Sequence, residues 1–366
     1  MENGLFRIGI IGCGGIANGK HMPALKKLPD QCRMVAFCDI VEERAVKAKA
    51  DYGTEDAKVY TDYRELLKDP TIDVIHVCTP NRSHAPISIA ALEAGKDVMC
   101  EKPMAKTAAE AKQMLETAKR TGRKLTIGYQ TRQDPKMQLV KKMADEGVFG
   151  DLYYGKALAL RRRAVPTWGV FLNEEEQGGG PLIDIGTHAL DLTLWTMNNY
   201  DVESVTGNVH YKLRGKENAA NAWGSWDPKK YTVEDSAFGF IKMKNGATII
   251  LESSWALNIA DPREAQYMLA GTEAGVDFYD TKGGIRINGE ENSRLYMKNI
   301  SMECGGAAFF DGQKAESNST LEARQWLKAL RDGTDPCVLP EQAYTVSRIL
   351  EAIYESYKTG KTIYFD

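Results

Sequence analysis

The sequence predicts an α/β domain followed by an α+β domain whose sheet is mainly antiparallel. With 366 residues, the chain is longer than one average domain. Apolar strand-like runs alternate with helical patterns up to residue 128, as in a parallel sheet covered by helices. Strand-like runs then follow one another with few helices, which favours antiparallel pairing. We therefore predict domains at residues 1–128 and 129–366.

The overall composition argues against a nucleic-acid or membrane partner. The net charge is −3, from 47 basic and 50 acidic residues, so the chain lacks the basic excess typical of nucleic-acid binding. No apolar run approaches the ~20 residues needed to span a bilayer. The first residues also lack the basic-then-apolar pattern of a signal peptide.

The seven cysteines indicate a reducing environment. They include no CxxC pair, and five lie in or beside apolar strand-like runs, where free cysteine behaves as a small buried hydrophobe. We therefore expect a cytoplasmic protein, and we predict no metal site.

The first strand-like run ends in a glycine-rich turn that precedes a helical pattern. The turn has the pattern G-x-G-x-x-A and comprises Gly12, Cys13, Gly14, Gly15, Ile16 and Ala17. Gly12 permits the tight turn, Gly14 lets the backbone approach a pyrophosphate, and Ala17 allows close helix–strand packing. The N-terminus of the helix would face the phosphates. This pattern predicts a Rossmann domain that binds a dinucleotide through the turn.

An acidic residue closes the second strand-like run at the spacing expected for such a domain. Asp39 can accept hydrogen bonds from both ribose hydroxyls and would repel a 2′-phosphate. It therefore favours NAD over NADP, although Arg44, a turn further on, keeps NADP open.

A polar loop follows the strand-like run at residues 74–78. Because ligands of open α/β sheets bind at the carboxyl ends of the strands, Thr79, Asn81 and His84 are candidates for the nicotinamide side. Equally, Asn81 can be a simple turn residue, and His84 can simply begin the next helix.

The tripeptide Glu101-Lys102-Pro103 ends the next strand-like run. The proline restricts the backbone of Lys102, and a buried lysine loses proton affinity, which suits acid–base chemistry. A surface salt bridge at the strand end is the alternative.

In the second domain, Gly178–Pro181 is expected to open a helix that runs to about Met197. Asp184 and His188 lie four residues apart, on one helix face. A histidine on a packed helix is usually structural, but the glycines would let a substrate or cofactor approach the backbone.

Upstream of that helix, a strand expected at residues 153–163 ends in three arginines. Strand alternation would place Arg161 and Arg163 on one face, and Trp168 could stack on a sugar ring or a cofactor. A solvated strand end and a core tryptophan are equally open. The dipeptide Asn245-Gly246 predicts a hairpin, and residues 281–318 are expected to form long loops.

These motifs together resemble the Gfo/Idh/MocA oxidoreductases, the glucose–fructose oxidoreductase and inositol dehydrogenase family. The resemblance covers essentially the whole chain and implies a large, mainly antiparallel sheet that often forms the dimer interface, so we expect a homodimer or a larger homo-oligomer. It maps the catalytic lysine, aspartate and histidine of the family to Lys102, Asp184 and His188. Glu101 and Lys102 would also border the cofactor.

The family resemblance implies hydride transfer between NAD and a secondary hydroxyl or ketone of a sugar, inositol or glycoside. The stretch 161–168 is similar to a sugar and glycoside subgroup that includes C3 oxidation. His188 would act as the general base, Lys102 would hold the same oxygen, and Asp184 would orient the substrate or tune His188. The expected substrate contacts are Arg161, Arg163, Trp168, Tyr129 and Arg132. At Tyr129-Gln130-Thr131-Arg132 the sequence departs from relatives that carry two adjacent basic residues.

Two alternatives remain open at this point. Some members of the family are NAD-dependent glycosidases that oxidise, eliminate and reduce back, and a few are sensors that bind NAD and sugar without turnover. The sequence leaves open whether NAD stays bound between turnovers.

Overall fold

The computed structural model describes residues 4–278, 284–300 and 316–365. The chain forms two compact units. The first comprises Met1–Gln133 and Ala315–Ser347, and the second Asp134–Lys314 and Arg348–Asp366. The segment Ala315–Ser347 thus belongs to the first unit. The division predicted at residue 128 would place that segment in the second domain. The division at residue 128 stays a prediction.

The first unit contains a parallel sheet of six strands. The strands are β1 (Phe6–Ile11), β2 (Cys32–Cys38), β3 (Lys58–Tyr60), β4 (Val74–Val77), β5 (Asp97–Cys100) and β6 (Leu125–Ile127). Their spatial order is β3-β2-β1-β4-β5-β6, and the order reverses between β1 and β4. In sheets of this order, ligands bind beyond the carboxyl ends of the strands at that reversal. The Rossmann prediction is therefore confirmed.

Helices connect these strands and cover the sheet. They are α1 (Met22–Lys26), α2 (Glu42–Tyr52), α3 (Tyr63–Leu67), α4 (His84–Glu93) and α5 (Ala108–Thr121). A π-helical turn, Ala17–His21, leads directly into α1, and short 3-10 turns occupy Asn81–Ser83 and Gln130–Gln133. Helix α9 (Asn318–Asp332) packs Trp326 and Leu327 into the apolar core of this unit, beside β1 and β2.

In the part of the chain that the structure describes, the second unit contains a nine-stranded sheet. Its strands are β7 (Leu152–Leu160), β8 (Val202–His210), β9 (Ser236–Met243), β10 (Thr248–Ser254), β11 (Arg263–Gly271), β12 (Ala274–Phe278), β13 (Ile285–Glu291), β14 (Arg294–Ile300) and β15 (Ile363–Tyr364). Among the described strands, β7 and β10 run parallel and the other neighbours antiparallel. The prediction of a large, mainly antiparallel sheet is confirmed.

Helices of the second unit cover this sheet. They are α6 (Pro135–Asp145), α7 (Glu174–Gln177) and α8 (Thr187–Met197), and α10 (Pro340–Thr359) crosses the boundary between the units. Helix α8 is almost entirely buried, and its Leu192 joins the core formed with Phe149 and Tyr267. A second π-helical turn, Leu182–Gly186, precedes α8. No helix in the described part of the chain is long and apolar enough to cross a membrane.

Two local expectations were wrong. Strand β7 ends at Leu160, so the three arginines lie in the loop after it. The segment expected to be long loops contains the β13–β14 hairpin, with the dipeptide Asn292-Ser293 at positive φ. Residues 301–315 of that expected loop lie outside the described residues. The hairpin at Asn245-Gly246 is confirmed, and Gly246 has φ +89°.

Candidate active site

The glycine turn after β1 leaves its outer side open. Gly12 has φ +90°, and a Cβ there would lie 2.7 Å from the carbonyl carbon of Cys78, so this position requires glycine. By contrast, a Cβ on Gly14 or Gly15 would meet no atom within 4 Å. The backbone at these two glycines therefore remains accessible to a cofactor, and the residues fit a bound dinucleotide.

The helical segment that follows offers backbone donors. Ile16 precedes its first turn without a side-chain cap, and Ile16 is 41% exposed. The first N–H groups of a helix have no intrahelical acceptor and attract anions. Ala17 is buried, as expected for close packing against the sheet. The turn and the uncapped N–H groups together suit a pyrophosphate.

Asp39 braces this turn from the end of β2. Its Oδ2 accepts from the backbone N–H of Cys13 at 2.8 Å, and its Oδ1 accepts from Val41 N–H at 2.9 Å. The carboxylate retains lone pairs for ribose hydroxyls. The Arg44 guanidinium lies 3.8 Å from Asp39 Oδ1.

Two residues of the loop after β4 have buried polar atoms, the Thr79 hydroxyl and the His84 ring. Thr79 Oγ1 is buried and has no hydrogen-bond partner within the described residues. The His84 ring is 1% exposed and lies between two carbonyls, with Nδ1 2.8 Å from Pro103 O and Nε2 2.9 Å from Thr79 O. His84 thus ties this loop to the Glu101 loop from within the unit, and its direct contact with a cofactor stays a prediction. Asn81, in the 3-10 turn, is half-buried.

Glu101 is part of a buried polar cluster. Its Oε1 accepts from Lys20 Nζ and from His21 Nε2, both at 2.7 Å. Its Oε2 accepts from the backbone N–H of Lys102 at 3.1 Å. Burial alone would raise the pKa of the Glu101 carboxyl, but Lys20 and His21 outweigh burial and hold the pKa well below its ordinary value. Both oxygens of Glu101 are therefore engaged inside the unit.

Lys102 is half-buried and precedes a cis peptide bond to Pro103. Its side chain is thus less enclosed than the expectation of a buried lysine required. The neighbouring Glu101 holds the backbone of Lys102 by accepting from its N–H group.

The structure does not support Tyr129 and Arg132 as substrate contacts. Tyr129 is 1% exposed and Arg132 is fully buried. Arg132 donates through Nη1 to Cys337 O at 2.9 Å and to Gln342 Oε1 at 2.8 Å. These bonds fasten the C-terminal segment to the first unit, which gives Arg132 a structural role.

In the second unit, Asp184 and His188 are half-buried on an otherwise packed segment. Their apolar neighbours, as expected, are buried: Leu182, Ile185, Ala189, Leu192 and Trp195. Asp184 lies in the π-helical turn, and its Oδ2 accepts from Trp255 Nε1 at 3.0 Å. His188 lies in the first turn of α8. A carboxyl and an imidazole, both partly exposed, thus lie four residues apart where the π-helical turn meets α8.

Gly179 and Gly180, which precede this turn, lie against protein atoms rather than beside space for a substrate or cofactor. A Cβ on Gly179 would lie 2.0 Å from the Tyr354 hydroxyl, and one on Gly180 would lie 2.4 Å from Glu234 O. Glu234 accepts from Gly180 N–H at 2.8 Å and Leu182 N–H at 3.1 Å. These two glycines make room for protein atoms, and the buried Glu234 holds the turn that carries Asp184.

The arginines after β7 are held by other side chains. Arg161 forms a two-bond salt bridge with Glu264 through Nε and Nη2, and Arg163 donates to Asn258 Oδ1 at 2.8 Å. Burial alone would lower the pKa of Arg161, but Glu264 and the nearby Asp184 hold it above its ordinary value. Arg161 therefore places a fixed positive charge near Asp184.

Trp168 is 51% exposed, which rules out the core alternative. Its ring centroid lies 4.9 Å from that of Trp223, edge to face, and the Arg161 guanidinium lies 5.5 Å from the Trp223 centroid. Trp223 itself is 45% exposed. The two rings form an aromatic platform whose accessible faces suit stacking on an apolar group.

Sequence reasoning missed several residues that the structure brings to these sites. They are Lys20, His21, His76, Trp223, Glu234, Trp255 and Glu322. One signal existed: Lys20 and His21 are two adjacent polar residues in the helical pattern directly after the glycine turn. The partners of the others are distant in sequence. Among the described residues, no group of three or more His, Cys, Asp or Glu could hold a metal ion.

Comparisons with known proteins agree with this geometry. A family of oxidoreductases with an NAD-binding Rossmann fold matches residues 6–129, and the GFO/IDH/MocA C-terminal domain matches residues 137–277. D-glucoside 3-dehydrogenase of Escherichia coli (strain K12) is 34% identical over 364 residues, covering 99% of this chain and 98% of that protein. Levoglucosan dehydrogenase of Pseudarthrobacter phenanthrenivorans is 26% identical, covering 97% of this chain and 96% of that protein. A crystal structure of levoglucosan dehydrogenase with NADH has a similar fold, with a TM-score of 0.83 at 23% identity and 99% coverage of both chains.

Proposed function

Because this chain belongs to the GFO/IDH/MocA family of oxidoreductases, we propose that it oxidises the C3 hydroxyl of a glucoside. The family establishes the broader activity: the protein is an NAD-dependent dehydrogenase that acts on a sugar hydroxyl group. The C3 position and the glucoside are supported by one observation, the 34% identity to a D-glucoside 3-dehydrogenase along nearly the whole chain.

We assign the proton-handling steps to three residues. His188 takes the proton of the C3 hydroxyl as a general base. NAD, held by the glycine turn after β1, would supply the hydride acceptor when bound. The ammonium of Lys102 favours the anionic form of the substrate oxygen. Asp184, fixed by Trp255 Nε1 and facing the charge of Arg161, orients the sugar beside His188.

The aromatic platform is a candidate binding surface for the substrate. The loops that carry Trp168 and Trp223 are joined by hydrogen bonds from Thr167 Oγ1 to Trp223 O at 2.8 Å and from Ala222 N–H to Arg163 O at 3.0 Å. Half-exposed aromatic rings held this firmly offer stacking area at little conformational cost. We assign this platform to the sugar ring or its aglycone.

The second-unit sheet is the candidate surface for self-association. Strand β14 lies at one edge of the sheet and exposes Leu295 (88%) and Met297 (71%). An exposed apolar edge strand favours pairing with another chain. We therefore propose a homo-oligomer, and light scattering of the purified protein measures its size.

We also propose a cytoplasmic setting. The observation that supports it is the set of buried free thiols on the first sheet, such as Cys32, Cys38 and Cys100. Burial raises the pKa of each of these thiols, as expected for structural cysteines.

Paired substrates test the proposed activity. The purified protein is first denatured and its supernatant assayed for NAD(H), since a resident cofactor would need a second keto sugar as acceptor. Methyl glucoside should then give NADH, or the reduced acceptor, together with a 3-keto glucoside, whereas its 3-deoxy analogue should give neither. Equal turnover of both compounds would refute C3 oxidation. Release of the aglycone without net formation of NADH would instead indicate the glycosidase reaction.

A further inference from the structure

We propose that Lys20 and His21, on the first helical turn after the glycine motif, are positioning residues that fix the direction of Lys102 through Glu101. This inference rests on the role proposed above for Lys102. It concerns residues of the first unit alone, and the chain of contacts is short: the two side chains donate to one oxygen of Glu101, and the other oxygen accepts from the Lys102 N–H.

The side chains of the cluster are almost completely buried. The exposed fractions are 5% for Lys20, 3% for His21 and 5% for Glu101. Glu322 of α9 adds a second carboxylate 3.0 Å from Lys20 Nζ. The π-helical turn Ala17–His21 changes the helical spacing at the point where both donors are needed. Such turns occur frequently at functional sites.

The main chain is also adapted to this cluster. Lys20 Nζ lies 3.3 Å from Gly128 O, at the end of β6. A Cβ on Gly128 would lie 3.0 Å from Lys20 Nζ and 3.2 Å from Glu101 Oε1. Glycine at this position leaves the room that the ammonium and the carboxylate occupy.

A second histidine, His76, contacts the other ring nitrogen of His21. His76 of β4 is fully buried, and its Nδ1 lies 2.9 Å from His21 Nδ1. Because Glu101 accepts at His21 Nε2, that nitrogen carries a hydrogen, and one proton is shared between the two Nδ1 atoms. Burial lowers the pKa of His76 well below its ordinary value, so His76 adds no charge to the cluster. The partners thus assign the tautomer in which His21 donates to Glu101.

Stability alone does not account for this cluster. Each buried ion loses several kcal/mol of solvation, and well-packed apolar residues of similar volume often serve a fold as well or better. Misplacing a reacting group by about 1 Å can cost about 10²-fold in rate. A rigid support behind Lys102 is therefore the function that we assign to the cluster.

The experiment compares variants that remove or keep the donor to Glu101. His21→Leu should lower kcat for methyl glucoside about 10²-fold, with KM and NAD affinity changed less than about threefold. His21→Gln, whose amide N–H lies near the position of Nε2, should recover most of that loss. Glu101→Asp keeps the charge but shortens the link, so it should also lower kcat, and it serves as the second variant if His21→Leu does not fold.

Lys96→Met is the matched control. Lys96 is another buried lysine of the first unit, and its Nζ donates to Asp69 O and Ile72 O rather than to Glu101. Both Lys20→Met and Lys96→Met should lower the melting temperature, but only Lys20→Met should lower kcat.

A chemical readout separates positioning from general damage. The rate at which an amine reagent labels Lys102, measured by peptide mass, should change in His21→Leu and stay unchanged in Lys96→Met. Normal kcat in a folded His21→Leu, or a loss of kcat that follows a loss of NAD affinity, would overturn the positioning role. Normal turnover of Lys102→Ala would instead refute the proposed function itself.

Discussion

Each unit contains a buried glutamate that holds the backbone beside a proposed catalytic side chain. Glu101 accepts from Lys102 N–H in the first unit, and Glu234 accepts from Gly180 and Leu182 N–H, just before Asp184, in the second. Their other partners differ. Glu101 contacts an ammonium and an imidazole, whereas the further partner of Glu234 is the Tyr354 hydroxyl at 2.9 Å.

The pKa values of the two carboxyls are consequently shifted in opposite directions. Burial alone would raise the pKa of Glu101, but Lys20 and His21 hold it well below the ordinary value. Burial raises the pKa of Glu234, and its neutral donors do not reverse that shift. The same task, holding a turn, is therefore done by an ion pair in one unit and by neutral hydrogen bonds in the other. Only the first arrangement also links the turn to another helix by charge.

The proposed catalytic residues should show the largest effects. Lys102→Ala should lower turnover by about 10²–10⁴-fold, the contribution typical of a general acid–base group, with NAD binding retained. His188→Ala should fall in the same range for the same reason. Steady-state kinetics and cofactor titration measure both variants. If Lys102→Ala lost NAD binding, the lysine would be a cofactor contact rather than a proton-handling group.

Removing the charge of each glutamate should separate the two arrangements. Glu101→Gln leaves Lys20 buried with its main partner neutralised, so we expect a loss of about 3–5 kcal/mol in the free energy of unfolding. Glu234→Gln breaks only hydrogen bonds to neutral groups and should cost about 1–3 kcal/mol. Urea denaturation monitors both. Equal losses would mean that the charge of Lys20 adds nothing to the stability supplied by Glu101.

The pH dependence of stability should have opposite signs for the two glutamates. The contribution of Glu101 is fully present above the unfolded-state pKa of about 4.3, and it is lost as pH falls further. The penalty from Glu234 appears as pH rises from about 4.3 through its raised folded-state pKa. Lowering the pH should thus narrow the stability gap between wild type and Glu101→Gln and widen that for Glu234→Gln. Parallel curves for the two variants would contradict the assigned pKa directions.

The smallest effect is expected at the aromatic platform. Trp168→Ala removes a half-exposed ring that no buried group depends on, so stability should change by less than about 0.5 kcal/mol. Stacking on an aryl aglycone is worth about 0.5–1.5 kcal/mol, so KM for an aryl glucoside should rise about two- to tenfold. Methyl glucoside is the control substrate and should show a smaller rise. An equal rise for both substrates would assign the ring to the sugar rather than the aglycone.

Much of the fold and of the candidate site could be predicted from local sequence patterns. The glycine turn, Asp39 and the Glu101-Lys102-Pro103 strand end follow from short-range rules, and the parallel order of the first sheet follows from strand–helix alternation. The β13–β14 hairpin was missed because only β13 begins with the alternation of a half-buried strand, at Ile285 and Ile287, whereas β14 exposes Leu295 and Met297.

The buried residues that hold the proposed catalytic side chains in place could not be predicted from the sequence. Glu322 approaches Lys20 from a helix about three hundred residues later, and Glu234 accepts from Gly180 N–H across a sequence separation of 54 residues. Single-sequence spacing gives no sign of such contacts. The π-helical turns that carry His21 and Asp184 likewise depend on packing rather than on propensity.

The central claim is that the hydride leaves C3 of a glucoside for the nicotinamide. The most direct measurement uses methyl glucoside carrying deuterium at C3, with mass analysis of the cofactor after turnover. We expect deuterium in the reduced cofactor and a slower rate than with the unlabelled substrate. Reduced cofactor without deuterium would place the oxidation at another carbon and refute hydride transfer from C3.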